Sequence, residues 1–127
     1  MSDVLIETNC YCDAMRGLPD AVAIMRESDR IIISAIVIGE LLAGFKGGRN
    51  ETANRNQLRK FLAQERVEVV PIAADAAEFY ALILHQLRKK GKPVPTNDLW
   101  IAASAMANGA RLATTDEHFR FIDGLML

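Results

Sequence analysis

Arg30-Ile31-Ile32-Ile33-Ser34-Ala35-Ile36-Val37-Ile38-Gly39-Glu40-Leu41-Leu42 is the stretch on which the reading of this chain turns. Its first half is rich in β-branched residues and reads as a short buried strand over 30–34, ended by Ser34. Its second half reads as a helix from about Ala35 or Val37 to Phe45, stopping before Gly47-Gly48. A strand feeding straight into a helix is the unit from which parallel sheets are built. The same stretch holds an anomaly. Glu40 interrupts an apolar run, and an unpaired carboxylate in apolar surroundings costs several kcal/mol or more. As a snorkelling surface acid Glu40 needs no explanation; as a buried one it needs a positive partner.

The alternation continues in both directions from there. Val4 to Glu7 reads as a strand, followed by a helical piece over 10–15 that Thr8-Asn9 can cap. Gly17-Leu18-Pro19 is a break, and Pro19 suits the first turn of a helix reaching about Arg26. Residues 51–65 form an amphipathic helix with Leu58, Phe61 and Leu62 as its stripe. A strand over 67–72 and a long helix over 74–90 follow. The loop Gly91-Lys92-Pro93-Val94-Pro95 leads to Thr96, a plausible cap for a helix over 97–108 that Gly109 ends. Ala110 to Thr114 is a fourth strand, residues 116–119 a helical turn, and 121–127 a last short strand. The fold class is therefore α/β, with a mainly parallel sheet covered by helices on both faces.

The 127 residues, half of them apolar, suit one domain spanning 1–127 with a sizeable core. A formal net charge of −1 names no partner, so nucleic acid could be held only by a local patch. Cys10 and Cys12 are spaced for neither an easy disulfide nor a zinc site, and read as buried or half-buried thiols in a reducing compartment. No basic stretch with a long apolar core opens the chain, and no apolar run approaches ~18 residues. A cytoplasmic location with no membrane association is expected.

Three further acids share Glu40's setting. Glu7 closes Val4-Leu5-Ile6, Asp98 opens Leu99-Trp100-Ile101-Ala102-Ala103, and Asp116 follows Leu112-Ala113-Thr114-Thr115. Singly, each has a plain explanation: Glu7 as a cap, Asp98 as a first-turn acid on a helix dipole, Asp116 as a turn residue. Together they lie on elements whose ends meet in an open α/β sheet, where sites form beyond the carboxyl ends of the strands. Clustered carboxylates raise one another's pKa, and a hard cation relieves the repulsion. Mg²⁺ or Mn²⁺ suits an all-oxygen site and can orient a water, assist its deprotonation and stabilise a leaving phosphodiester oxygen. Asn9, Thr114 and Thr115 stand beside the acids, where a cap, a turn and a contact to water or phosphate would each use them.

Leu5-Ile6-Glu7-Thr8-Asn9, Ser34-Ala35-Ile36-Val37-Ile38-Gly39-Glu40-Leu41, Asn97-Asp98-Leu99-Trp100-Ile101-Ala102-Ala103 and Leu112-Ala113-Thr114-Thr115-Asp116 resemble, in order and spacing, the four motifs of PIN-domain nucleases. The resemblance is closest to VapC toxins of bacterial toxin–antitoxin modules and covers essentially the whole chain. It implies a three-layer α/β/α sandwich, a Mg²⁺- or Mn²⁺-dependent endoribonuclease, a homodimer and a cognate VapB-like antitoxin. It also implies metal-site roles for Glu40, Asp98, Asp116 and position 7. Hydrolysis of RNA leaving 5′-phosphate and 3′-hydroxyl ends is the expected reaction, with transfer RNA a family-level expectation for the target. At position 7 the family has Asp, and the extra methylene of Glu7 is expected to lower the rate.

The alternative is a catalytically weakened PIN domain that keeps antitoxin and RNA binding. A receiver-like phosphotransfer domain would need an acid pair after the first strand and an aspartyl nucleophile after a central one; only Glu7 closes the first strand, and Pro71 follows the third. Arg55, Arg59, Lys60 and Arg66, and Arg88-Lys89-Lys90 with Lys92, read as solvated helix faces or as RNA-phosphate contacts. His85 and His118 read as structural, His118 being the better placed to meet substrate.

Overall fold

The computed structural model describes residues 2–127. It has strands β1 (Asp3–Ile6), β2 (Arg30–Ser34), β3 (Val67–Val70) and β4 (Arg111–Ala113) and helices α1 (Thr8–Met15), α2 (Pro19–Glu27), α3 (Ala35–Phe45), α4 (Glu51–Leu62), α5 (Ala74–Lys90) and α6 (Thr96–Ala107). A 3-10 turn follows over Glu117–Phe121. The strands form one parallel sheet in the order β3-β2-β1-β4.

The central strands explain the layering. Val4, Leu5 and Ile6, and likewise Ile31, Ile32 and Ile33, are consecutive and all fully buried, so both faces of β1 and β2 are covered. On β3, at the edge, Glu68 and Val69 are exposed. From β1 the chain steps outward to β2 and then β3, and afterwards returns past both to β4. Right-handed crossovers then place α1–α4 on one face and α5 and α6 on the other. The small residues Ala102, Ala103 and Ala105 of α6 are all buried, which lets that helix approach closely. Tyr80 of α5 stacks on Trp100 of α6 with ring centroids 4.1 Å apart.

Several expected boundaries move for local reasons. Helix α1 begins at Thr8, and its cap is Glu7 rather than Thr8-Asn9. Helix α6 begins at Thr96, which is thus inside the helix and not its cap. Helix α4 ends at Leu62, because residues 63–66 turn the chain into β3. Strand β3 ends at Val70; the next residue, Pro71, has no N–H to continue the ladder. The expected last strand is absent. Residue 121 belongs to the 3-10 turn, and Gly124 takes φ +81°, which breaks an extended path. One bond remains of it, from Leu112 N–H to the Met126 carbonyl at 2.8 Å. Leu58 lies in the core, 3% exposed, so it offers no surface for a partner. Cys10 is buried and Cys12 half-buried, both as free thiols. Among the described residues no helix is long and apolar enough to cross a membrane.

Candidate active site

The direction of chain travel reverses between β1 and β4, which makes the gap beyond their carboxyl ends the topological switch point of the sheet. Ile6 pairs with Ala113 across this gap, and Glu7 N–H donates to the Ala113 carbonyl at 3.3 Å. Glu7 and the segment running to Asp116 are therefore fixed side by side by sheet register.

Glu7 is 4% exposed, and its Oε1 accepts the Cys10 N–H at 2.9 Å, capping α1. Burial pushes its carboxyl up to about 7, with the charges of Asp98 and Asp116 adding to the rise. The backbone N–H groups of Asn9 and Cys10 oppose this. Asp98, half-buried in the first turn of α6, is raised by burial first and then by Asp116 and Glu40, while His118 pulls it down. Asp116 caps the 3-10 turn: its Oδ1 accepts the His118 N–H at 2.9 Å and meets His118 Nδ1 at 2.9 Å. The Asp116 N–H donates to Thr114 Oγ1 at 2.9 Å.

Glu40 is held by two other helices. Thr8 Oγ1 of α1 donates to Glu40 Oε1, and Asn97 Nδ2 of α6 donates to Oε2 at 3.2 Å. The anomalous acid of the apolar run is thus tethered where α1, α3 and α6 meet.

All four acids converge, but in two tiers. Ligand atoms of Asp98, Asp116 and His118 lie within 4.8 Å of one another. Glu7 and Glu40 stand outside that set, coupled to it through their repulsion of Asp98. Among the described residues no Lys or Arg forms an ion pair with any of the four. Carboxylates without a Lys or Arg partner, one of them raised by burial and crowding to about 7, form with His118 a donor set that fits a divalent metal ion.

Of the residues beside the acids, Thr114 is engaged as the acceptor for Asp116, and Thr115 is exposed near it. Asn9 is exposed and lines a cleft between α1 and α4. Three residues gain roles here that sequence alone did not give them. Thr8 and Asn97 bind Glu40, and His118 joins the tight set. Their only advance signal was adjacency: Thr8 follows Glu7, Asn97 precedes Asp98, and His118 lies two residues after Asp116.

A PIN-domain family model matches residues 4–125. Ribonuclease VapC2 of Rickettsia felis is 30% identical over 128 residues, covering 97% of this chain and 94% of the relative. The chain belongs to the VapC ribonucleases of the PIN-domain family. Ribonuclease VapC1 of Haemophilus influenzae is 30% identical over 114 residues, covering 87% of this PIN chain and 84% of the relative. The structure of VapBC2 from Rickettsia felis, bound to a DNA fragment from its promoter, superposes with a TM-score of 0.84 at 29% identity, covering 98% and 96% of the two chains. DNA-bound VapBC from Salmonella typhimurium gives a TM-score of 0.85 at 26% identity, covering 99% and 96%. The expected parallel α/β sandwich and the ribonuclease family are both borne out.

Proposed function

We propose that this VapC-type PIN chain is a Mg²⁺- or Mn²⁺-dependent endoribonuclease toxin, a single nuclease domain over 1–127, held in check in the cytoplasm by a VapB-like antitoxin. The observation that carries this reading is the tight set of Asp98, Asp116 and His118, flanked by Glu7 and Glu40, with no Lys or Arg ion-paired to the four acids among the described residues.

Asp98 and Asp116 would hold the metal, with Glu7 and Glu40 reaching it directly or through water. When bound, the ion supplies Lewis acidity towards phosphate oxygens and lowers the pKa of water. The chain's own groups supply orientation. His118 fixes the Asp116 carboxylate, and Thr8 and Asn97 fix that of Glu40. Water attacks phosphorus, the P–O3′ bond breaks, and the departing oxygen takes a proton, leaving 3′-hydroxyl and 5′-phosphate ends. Thr114, Thr115 and Asn9 border this space as contacts to phosphate or ordered water. Structured RNA is the substrate class, transfer RNA included.

A homodimer fits the exposed apolar side chains of Leu82 on α5 and Val69 on β3. The VapBC complexes among the structural relatives support the antitoxin partner. The test is digestion of total RNA by the purified chain with Mn²⁺ or with EDTA, followed by sequencing of new 5′-phosphate ends. Discrete ends that need Mn²⁺ and vanish in Asp116→Asn are expected. Cleavage that survives EDTA, or equal cleavage by Asp116→Asn, would remove the metal-site assignment.

A further inference from the structure

The two aspartates of the tight set are both fastened to the turn between α5 and α6. Helix α5 ends in Arg88-Lys89-Lys90, and Gly91, at φ +66°, reverses the chain. The Lys92 N–H returns to the Leu87 carbonyl at 3.1 Å, which fixes the start of the connection. Pro93 and Pro95 each lock one φ in the few residues left before α6, whose first turn carries Asp98. Asp116 is joined to the same turn through side chains. It caps the 3-10 turn that ends at Phe121. Lys90 Nζ donates to the Phe121 carbonyl at 2.9 Å and to Asp123 Oδ1. Lys92 Nζ stands 5.0 Å from the centroid of the Phe121 ring. One residue is thus held by its backbone from Lys90 and by its ring from Lys92.

The geometry points to Lys90 as a positioning residue that sets the spacing of Asp98 and Asp116 for a metal ion, with Lys92 in support. This rests on the metal-dependent ribonuclease reading above. The last carbonyls of a helical turn lack partners within it, and an ammonium there satisfies one and complements the turn's dipole. At its other end the turn is bonded to neighbours in its own segment. Asp116 Oδ1 takes the His118 N–H and meets His118 Nδ1, and Thr114 Oγ1 takes the Asp116 N–H. Those bonds keep the shape of the segment; its place is set by what reaches it from outside. Phe119, fully buried, pins the middle. Among the described residues, Lys90 makes the one hydrogen bond that joins residues 117–121 to a helix or the sheet. An exposed ion pair alters stability little. Loss of the ammonium is therefore expected to displace Asp116 and His118 against Asp98 rather than to unfold the chain, and a misplacement of ~1 Å costs up to about a hundredfold in rate.

The test compares four forms of the full chain with wild type. Lys90→Met keeps the apolar stem and removes the ammonium, and Lys90→Arg keeps a cation at the same place. Lys92→Gln removes the charge above the ring. Lys89→Met removes the adjacent charge, which forms no ion pair among the described residues. The metal-free proteins are read first by NMR at one fixed pH, where His85 and His118 are the only two imidazoles. Lys90→Met should shift the ring nitrogens of His118 and leave those of His85 in place, with the melting temperature within a few degrees of wild type. Calorimetric Mn²⁺ titration should then give a Kd raised about five- to tenfold, and RNA cleavage a kcat lowered about tenfold with KM within about twofold. Lys90→Arg should restore all three readouts, Lys92→Gln should show them at smaller size with the Lys90 bonds intact, and Lys89→Met should show none. Responses of His118 and of Mn²⁺ affinity without RNA cleavage by any form would support the positioning role and count against the ribonuclease reading instead. An unchanged His118 signal with unchanged Mn²⁺ affinity in Lys90→Met would overturn the inference. So would an equal rise of KM in Lys90→Met and Lys89→Met, which would make both lysines contacts to RNA phosphate.

Discussion

Glu7→Gln in the metal-free protein isolates the cost of the acid cluster. The folded carboxyl titrates near 7 against 4.5 for the free side chain, chiefly because it is buried. The folded state therefore binds the proton more tightly than the unfolded state does, so stability is fullest below 4.5 and falls as pH rises towards 7. At 1.36 kcal/mol for each pKa unit, the loss by pH 8 is about 3 kcal/mol. Gln keeps a side-chain oxygen to accept the Cys10 N–H, so the cap of α1 persists while the titration disappears. Urea denaturation in EDTA at pH 5 to 8 should show wild type losing this stability and Glu7→Gln losing much less. A smaller slope remains in both, because Asp98 is raised in the same direction. Saturating Mn²⁺ should close most of that gap at pH 8, since metal at ~100 times Kd adds about 2.7 kcal/mol to a chain that binds it, and Glu7→Gln has one anionic donor fewer. Parallel pH curves for the two proteins in EDTA would refute the reasoning, because the burial and repulsion assigned to Glu7 would then have no energetic consequence.

Three further outcomes are expected. Glu7→Asp should leave stability nearly unchanged, since Asp is itself a favourable N-cap, and raise Mn²⁺-dependent RNA cleavage roughly ten- to a hundredfold; equal rates in a fluorogenic RNA assay would show that the longer side chain is already well placed. Thr8→Val removes the hydroxyl that binds Glu40, and should lower cleavage more than it lowers stability, which changes by only about 1 kcal/mol; a cleavage rate equal to wild type would show that Glu40 needs no such tether. Leu82→Asp, at an exposed position of α5, should leave the far-ultraviolet circular dichroism intact and shift the light-scattering mass from dimer to monomer; an unchanged dimer mass would place the interface elsewhere.

The fold was legible where sequence signals were local. Ile31-Ile32-Ile33 could only be a buried strand, and Ser34 does cap α3, its Oγ accepting the Val37 N–H at 3.3 Å. The four acids stood out as candidates because Glu40 interrupts an apolar run and Glu7, Asp98 and Asp116 stand at the ends of others. How they divide was not, because that depends on contacts far apart in the chain: Thr8 reaches Glu40 across 32 residues, and Asn97 reaches it across 57. His118 looked structural because nothing in the order Asp116-Glu117-His118 says that the chain there closes into a 3-10 turn, bringing the imidazole back onto Asp116. The cap of α1 was misread for a chemical reason. Thr8 and Asn9 are common caps and Glu is not, yet register with β4 holds Glu7 at the strand's end, where its side chain can reach Cys10 N–H.

That last point bears on how the chain accommodates a glutamate where the resemblance expects aspartate. An added methylene pointing straight into the cluster would press one carboxylate against Asp98 and Asp116. Instead one oxygen turns back to the start of α1, where the helix dipole and the Cys10 N–H offset part of the desolvation. The carboxyl stays close enough to raise its own pKa through those neighbours but outside the 4.8 Å set they form with His118. Position 7 thus serves two masters, a helix terminus and a cation site, and the bond to the first limits its reach to the second. The other departures from local consistency lie at the same end of the sheet, beyond the carboxyl ends of the strands: a carboxylate amid the apolar residues of α3, and an aspartate raised by burial at the start of α6. Among the described residues the carboxylates set in apolar surroundings without a Lys or Arg partner gather at the switch point between β1 and β4, and a divalent cation there is the one addition that would resolve their conflicts together.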